Sequence, residues 1–170
     1  MMFERFFPDE YVASTYSIPF EKLYEEGYRG VIFDIDNTLV PHGAPADERA
    51  KKLFKRLSDI GLSSCLLSNN REKRVKMFNK DIKTHYINNA NKPSRKNYLR
   101  AMELMGTDRT NTVFVGDQLF TDVWGAKRTG IHNILVKPIH PKEEIQIVLK
   151  RSVENIVLYF YKKRLKNGGN

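Results

Sequence analysis

The sequence predicts an α/β domain, a three-layer arrangement with a mostly parallel five-stranded sheet between helices. Three observations carry that prediction. Short β-branched runs alternate with segments of helical spacing, the pattern of strand–helix–strand units. The 170 residues suit one domain with a sizeable core, so 1–170 reads as a single unit. Polar, chemically capable residues follow directly after apolar runs, at the strand ends where such sheets bind ligands.

Residues 1–30 form an aromatic-rich N-terminal extension carrying Phe3, Phe6, Phe7, Tyr11, Tyr16, Phe20, Tyr24 and Tyr28. Pro8 and Pro19 divide it, and a short helix is expected over Phe20–Glu26, ended by Gly27. Its rings are expected to pack on the domain; contact with a lipid interface is the alternative. Val31-Ile32-Phe33 reads as a buried parallel strand with Asp34 at its tip, and Asp36, Asn37 and Thr38 then bend the chain. Ala50, Leu53, Phe54 and Leu57 recur at helical spacing within Ala46–Ile60, with Gly61 as the stop. A second strand over Leu62–Leu67 ends in Ser68-Asn69-Asn70, a helix spans Arg71–Asn79, and Thr84–Ile87 is a short third strand. Asn91-Lys92-Pro93-Ser94 opens the next helix, with Pro93 suited to a first turn. Thr112–Val115 is the fourth strand, running into Gly116-Asp117-Gln118. Phe120–Thr129 is helical up to Gly130, and Ile131–Val136 is the fifth strand. A final basic amphipathic helix is expected over Lys142–Lys166, with a frayed tail beyond it.

Apolar content of 41% and charged content of 29% describe an ordinary globular protein. No apolar run approaches bilayer length, and Met1-Met2-Phe3-Glu4-Arg5 lacks the basic start and apolar centre of a secretory signal. Cys65, the single cysteine, lies in an apolar stretch and reads as a buried thiol, so cytosolic residence is the default expectation. The net charge of +9 is uneven. Residues 71–100 hold ten basic and two acidic side chains, and 142–166 hold seven and three. Such surfaces imply anionic partners: phosphorylated small molecules, nucleic acid or an acidic membrane.

Carboxylates as close as Asp34 and Asp36 repel each other unless a cation or a shared proton compensates. Asp117 and Asp122 make a second acidic pair at another strand end. Acidic oxygens with few histidines are the ligand set of a hard divalent ion, Mg²⁺ above all. One cysteine and the scattered His42, His85, His132 and His140 give no Zn²⁺ spacing. Ser68, Asn69 and Lys92, with helix N-terminal amides, suit phosphate oxygens. Together these groups point to phosphoryl transfer. His42 reads as an exposed loop residue, and Trp124, at helical spacing from Phe120, as part of the core.

In this order and strand context, Asp34-Ile35-Asp36-Asn37-Thr38-Leu39, Ser68, Lys92 and Gly116-Asp117 with Asp122 resemble the four motifs of the haloacid dehalogenase (HAD) superfamily, whose fold is Rossmann-like. The resemblance implies Asp34 as the nucleophile that becomes an aspartyl-phosphate, and Asp36 as general acid and then base. It implies Ser68 and Lys92 on the phosphoryl oxygens, and Mg²⁺ held by Asp34, the Asp36 backbone carbonyl and Asp117, with Asp122 as ligand or support. Aspartate at position 36 favours a phosphatase over a dehalogenase. Core elements fill the stretches from Asp34 to Ser68 and from Ser68 to Lys92, where cap domains would be inserted, so the chain resembles the capless subclass IIIA.

Phe6-Phe7-Pro8-Asp9-Glu10-Tyr11, Leu67-Ser68-Asn69-Asn70, Lys92-Pro93 and Gly-Asp-Gln-Leu-Phe-Thr-Asp-Val from Gly116 resemble the bacterial YqeG-type phosphatases. That group is similar to the mitochondrial phosphatidylglycerophosphate phosphatases. The resemblance implies a phosphorylated substrate, a phospholipid headgroup among the candidates, and peripheral contact with the inner face of the membrane. Arg71, Arg74, Arg95 and Lys96, and the final helix with its basic end Lys162-Lys163-Arg164-Leu165-Lys166, suit an anionic surface, although a helix packed on the sheet is the simpler reading. A soluble sugar or nucleotide phosphate is the alternative substrate. From another class, a basic RNA- or ribosome-associated binding module with a vestigial site would betray itself by a steep salt dependence.

Overall fold

The run Gly30-Val31-Ile32-Phe33 carries no polar side chain, so it needs cover on both faces, and the fold is built around it. In the computed structural model, which describes residues 2–140 and 145–168 and only the backbone of 145–149, these residues form the second of six strands. The strands are β1 (Glu10–Val12), β2 (Gly30–Phe33), β3 (Ser63–Leu67), β4 (His85–Ile87), β5 (Thr112–Gly116) and β6 (His132–Val136). All five pairings are parallel, in the order β1-β6-β5-β2-β3-β4. From β2 the chain winds outward through β3 and β4, then crosses back to β5 on the other side of β2. The seam between β2 and β5 is therefore the switch point, where the strand ends open a crevice.

Alternation along the strands assigns the faces. Val31 and Phe33 pack with Leu66, Val113 and Val115 under helices α1 (Phe20–Glu25), α2 (Glu48–Ile60) and α3 (Glu72–Asn79), which insert Phe20, Leu53, Phe54, Leu57, Val75 and Phe78. Ile32, Cys65, Leu67 and Phe114 point the other way, against Tyr98, Ala101 and Met102 of α4 (Arg95–Met105) and Ala126 of α5 (Trp124–Thr129). Asp47 starts α2 by accepting from the Ala50 amide at 2.8 Å, and Gly61 ends it in the left-handed conformation at φ 98°. A smaller third cluster joins Phe7, Leu119, Val123, Leu135 and Val157, tying the N-terminal segment to α6 (Ile145–Asn167). There Phe3 stacks on Phe160 with centroids 5.6 Å apart, Phe6 meets Phe120 and Trp124 edge-on at 5.0 and 5.5 Å, and Phe7 meets Tyr161 at 5.2 Å.

The five-stranded expectation is corrected to six. β1 lies inside the aromatic extension and pairs with β6 at the sheet edge, Tyr11 opposite Leu135. Three residues with no buried position give no alternation to read. Asp9 fastens the strand, its carboxylate accepting from Asn133 backbone and side-chain nitrogens at 3.0 and 2.8 Å. Pro93 lies outside the first helical turn: α4 begins at Arg95, and the Lys92–Pro93 peptide bond is cis. The helix expected from Phe120 opens instead with a π-helical turn over Leu119–Val123. Residues 142–144 of the expected final helix lie outside the described residues. Between Asp34 and Lys92 stand only α2, β3, α3, β4 and their loops, and no cap domain.

Candidate active site

Asp34 follows the last residue of β2, and its amide donates to Val115 O of β5 at 3.0 Å, which fixes it at the switch point. Asn37 then turns the chain in the left-handed region at φ 61°, a conformation that asparagine tolerates. The turn aims the Thr38 hydroxyl between Asp34 Oδ2 and Asp117 Oδ1, 3.3 Å from each. Asp117 follows the last residue of β5, so the two carboxylates come from adjacent strand ends.

Lys92 arrives from the loop after β4, through Asn89 and Asn91 at φ 46° and 52°. The Asn69 side chain clamps that loop, accepting from the Lys92 amide at 2.7 Å and donating to its carbonyl at 3.2 Å. The buried Lys92 Nζ donates to Asp34 Oδ1 at 2.8 Å and to Asp122 Oδ1 at 2.7 Å. Burial alone would push this ammonium down, but Asp122 and Asp34 outweigh it and hold Lys92 above its usual value. The other oxygen of Asp122 accepts from the backbone amides of Asp117 and Gln118, both at 3.1 Å. Tyr98 pins the π-turn that carries Asp122, donating to the Thr121 carbonyl at 2.9 Å.

Asp34, Asp117 and Asp122 each offer a carboxylate oxygen within 4.8 Å of the others, and all three are buried. Burial, then the charges of Asp34 and Asp122, push the Asp117 carboxyl well up. Burial likewise raises Asp122, against the pull of Lys92. Asp117 Oδ2 is buried and accepts no hydrogen bond from the described residues. An all-oxygen cluster with an orphaned acceptor and like-charge strain fits a hard divalent cation.

Asp36 faces the same crevice and is held from four sides. Its Oδ1 accepts from Arg74 Nη2 at 2.8 Å and the Gly43 amide at 2.7 Å, and its Oδ2 from Asn70 Nδ2 at 2.5 Å. His42 Nδ1 lies 3.9 Å away, on an exposed loop. Ser68 is buried at the end of β3, its hydroxyl accepting from the Asn70 amide at 3.1 Å. The crevice of about 140 Å³ is lined by Asp34, Asp36, Ser68, Asn69, Asn70, Lys92 and Asp122, together with Gln118, Thr121, Arg151 and the loop residues Asn37 and His42. A larger hollow of about 370 Å³ opens at the opposite strand ends, around Ser58, Ser63 and Thr84, with no carboxylate in its lining.

The structure brings Asp34, Asp36, Ser68, Asn69, Lys92, Asp117 and Asp122 together. Asn69 spends both its amide atoms on the Lys92 backbone. No motif in the sequence assigns a role to four further residues that reach the site. Thr38 lies inside the first motif but reads as a turn former, Asn70 stands beside Ser68, and Arg74 is one cation in a basic helix. Arg151 comes from α6 without any motif.

A family model described as HAD-hydrolase-like matches residues 89–144. The chain is 38% identical over 165 residues to the probable phosphatase YqeG of Bacillus subtilis, covering 96% of both proteins. It is 27% identical over 161 residues to phosphatidylglycerophosphate phosphatase 1 of Arabidopsis thaliana, which covers 89% of this chain but 46% of the plant protein. Among solved structures, a HAD-superfamily hydrolase from Ehrlichia chaffeensis superposes with a TM-score of 0.53 at 14% identity, over 76% of this chain and 96% of that one. The cobalt-bound deoxy-D-mannose-octulosonate 8-phosphate phosphatase of Haemophilus influenzae superposes at 0.50 with 15% identity, over 69% and 81%. These two show the common fold. With a capless parallel sheet, acidic groups at its switch point and near-complete coverage by YqeG, the chain belongs to the YqeG-type phosphatases of the HAD superfamily.

Proposed function

We propose that the protein is a Mg²⁺-dependent phosphomonoesterase that works through an aspartyl-phosphate on Asp34 and acts on phosphatidylglycerophosphate. The observation that carries the chemistry is the pairing of Lys92 with Asp34 and Asp122 in the lining of the crevice, with the buried Asp117 carboxylate clustered beside those two acids. Asp34 Oδ2 is the oxygen that Lys92 leaves uncovered, and it attacks phosphorus. Lys92 and the Ser68 hydroxyl take non-bridging oxygens, where negative charge develops. Asp36 gives its proton to the leaving alkoxide and then takes one from the water that releases phosphate. To do so it exchanges one of its present partners, Asn70 or Gly43, for the reacting oxygen. Asp34, the Asp36 carbonyl and Asp117 would hold Mg²⁺, which supplies charge neutralisation that lets two anions meet. Asp122, with both oxygens on protein donors, supports by positioning Lys92 and the Asp117 loop.

The lipid substrate is supported by similarity to the plant phosphatase and by the missing cap, which leaves the crevice accessible to a headgroup at a surface. The outer side of α6 adds support: Val153, Ile156 and Tyr159 are exposed, and Lys162, Lys163 and Lys166 follow. No helix among the described residues is long and apolar enough to cross a membrane, so such contact would be peripheral. The test is Mg²⁺-dependent phosphate release from phosphatidylglycerophosphate in mixed micelles, beside a panel of soluble phosphoesters. Turnover that prefers the lipid and is lost in Asp34→Asn is expected. Turnover of soluble esters alone would remove the lipid, and silence on every ester would remove the enzyme.

A further inference from the structure

Arg151 is the cation of the crevice whose hydrogen-bonding capacity is least used. Lys92 is engaged by two carboxylates, and Arg74 sits behind Asp36, outside the crevice lining. Arg151 is 18% exposed at its side chain, its buried Nε has no hydrogen-bond partner among the described residues, and its Nη2 stands 3.7 Å from Asp117 Oδ2. That separation is an ion pair without a hydrogen bond. A guanidinium offers five N–H donors in a planar fork that matches phosphate or carboxylate oxygens. Partial burial with donors unspent is unfavourable unless an anion arrives.

The neighbourhood indicates which anion. Arg151 stands on the wall made by Gln118 and Thr121, while Ser68, Asn69 and Lys92 line the crevice from other loops. Lys150 donates to Gln118 Oε1 at 3.0 Å, which fixes this stretch of α6 to the loop after β5. A divalent cation held by the acidic cluster would repel the guanidinium, and Glu154, the other acid that acts on Arg151, is held towards its neutral form by burial and compensates only in part. Ser68 and Lys92 already suit the transferred phosphoryl group.

We propose that Arg151 is a specificity-determining residue that binds a second anionic group on the leaving alcohol, a phosphodiester or a second phosphate. The inference rests on the phosphomonoesterase reading above, and it gives α6 the substrate-selecting role that a cap domain has elsewhere. Two sources share that chemistry: the glycerol-linked diester of a lipid headgroup and a small soluble bisphosphate.

The test uses three esters that differ in the second anion and its source: glycerol monophosphate, a glycerol bisphosphate, and a short-chain phosphatidylglycerophosphate kept below its micelle concentration. Equilibrium binding is measured by titration calorimetry in an Asp34→Asn background, with and without Arg151→Gln. In parallel, kcat/KM is measured with Asp34 intact. Arg151→Gln is expected to weaken binding of the two-anion ligands by about ten- to a hundred-fold more than that of the monophosphate. The kcat/KM ratio should fall in step, mainly through KM. Arg151→Lys, which keeps the charge and loses the fork, should fall between. Loss with the short-chain lipid alone assigns the diester, and loss with the bisphosphate alone assigns a soluble substrate. Equal weakening of all three ligands, or a change only in Mg²⁺ affinity, overturns the proposal. Thermal melting identifies a variant that fails to fold, in which case Arg151→Lys decides. If the intact enzyme hydrolyses none of the esters while the binding ratio still depends on Arg151, the phosphatase reading fails and the second-anion site stands.

Discussion

A methyl group at position 116 would collide with the Asp122 carboxylate, which packs against the bare Gly116 Cα. Asp122 has nowhere to go, because one oxygen holds Lys92 and the other holds the amides of Asp117 and Gln118. Gly116→Ala is therefore expected to cost about 1–3 kcal/mol in stability. It should also lower kcat at least ten-fold, since Lys92 follows Asp122. Melting curves beside steady-state kinetics check this, and an unaltered kcat with a lowered Tm would show that Asp122 does not position Lys92. At this scale the sequence was legible wherever a polar residue ends an apolar strand, as with Asp34, Ser68 and Asp117. It was not legible where function depends on a side chain's direction. Thr38 looks like any turn former until its hydroxyl is seen between two carboxylates. Arg74 is one of many cations on its stretch, and only the packing of α3 turns it towards Asp36.

The last helix buries an acid against the domain. Glu154 is on the inner face of α6, its Oε1 has no hydrogen-bond partner among the described residues, and burial raises its carboxyl to about 7, with Lys150 and Arg151 opposing the shift. The folded protein thus keeps a proton that the unfolded chain releases from its usual value of 4.5 upward. Stability falls as pH rises from there through about 7, because the native state binds more protons across that window. Glu154→Gln should flatten this fall, with a difference from the wild type that grows to roughly 3 kcal/mol on the alkaline side. Denaturant melts in EDTA from pH 4.5 to 8 read the difference; parallel pH profiles of the two proteins would contradict the assignment. Among the elements, β2, β3, β5 and β6 were legible because they are apolar runs bounded by turns. β1 escaped because it is an edge strand stabilised by Asp9 and Asn133, residues far apart in the chain. The placement of α6 escaped as well. Its apolar positions announced a helix, but whether it covers the crevice depends on contacts with Gln118 and Asp117 that no local pattern encodes.

At the scale of the whole molecule, the aromatic N-terminal segment and α6 form one unit beside the crevice. Phe3, Phe6 and Phe7 turn inward onto Phe160, Phe120, Trp124 and Tyr161, so the rings of the extension serve packing. The apolar surface this unit leaves outward is Met2 and a stretch of α6, where Ile156 is 51% exposed and Tyr159 62%, followed by the basic end of the helix. A headgroup substrate would require the crevice to approach an anionic bilayer with this side of the molecule facing it. Each basic residue near such a surface contributes about 1 kcal/mol, and the attraction is confined to roughly a Debye length, about 8 Å at physiological salt. The protein is therefore expected to float with vesicles rich in phosphatidylglycerol at low salt and to be released as salt rises. It should bind phosphatidylcholine vesicles weakly at any salt. Ile156→Glu, on the outer face of α6 and outside the crevice lining, should weaken flotation several-fold. The same variant should lower turnover of bilayer-embedded phosphatidylglycerophosphate more than turnover of a monomeric short-chain form. If flotation is unaffected by Ile156→Glu but abolished by salt, the contact is purely electrostatic and α6 is not its apolar anchor. If neither vesicle binds while the micellar lipid is still hydrolysed, the enzyme meets its substrate only in passing, and the recognition energy lies within the crevice.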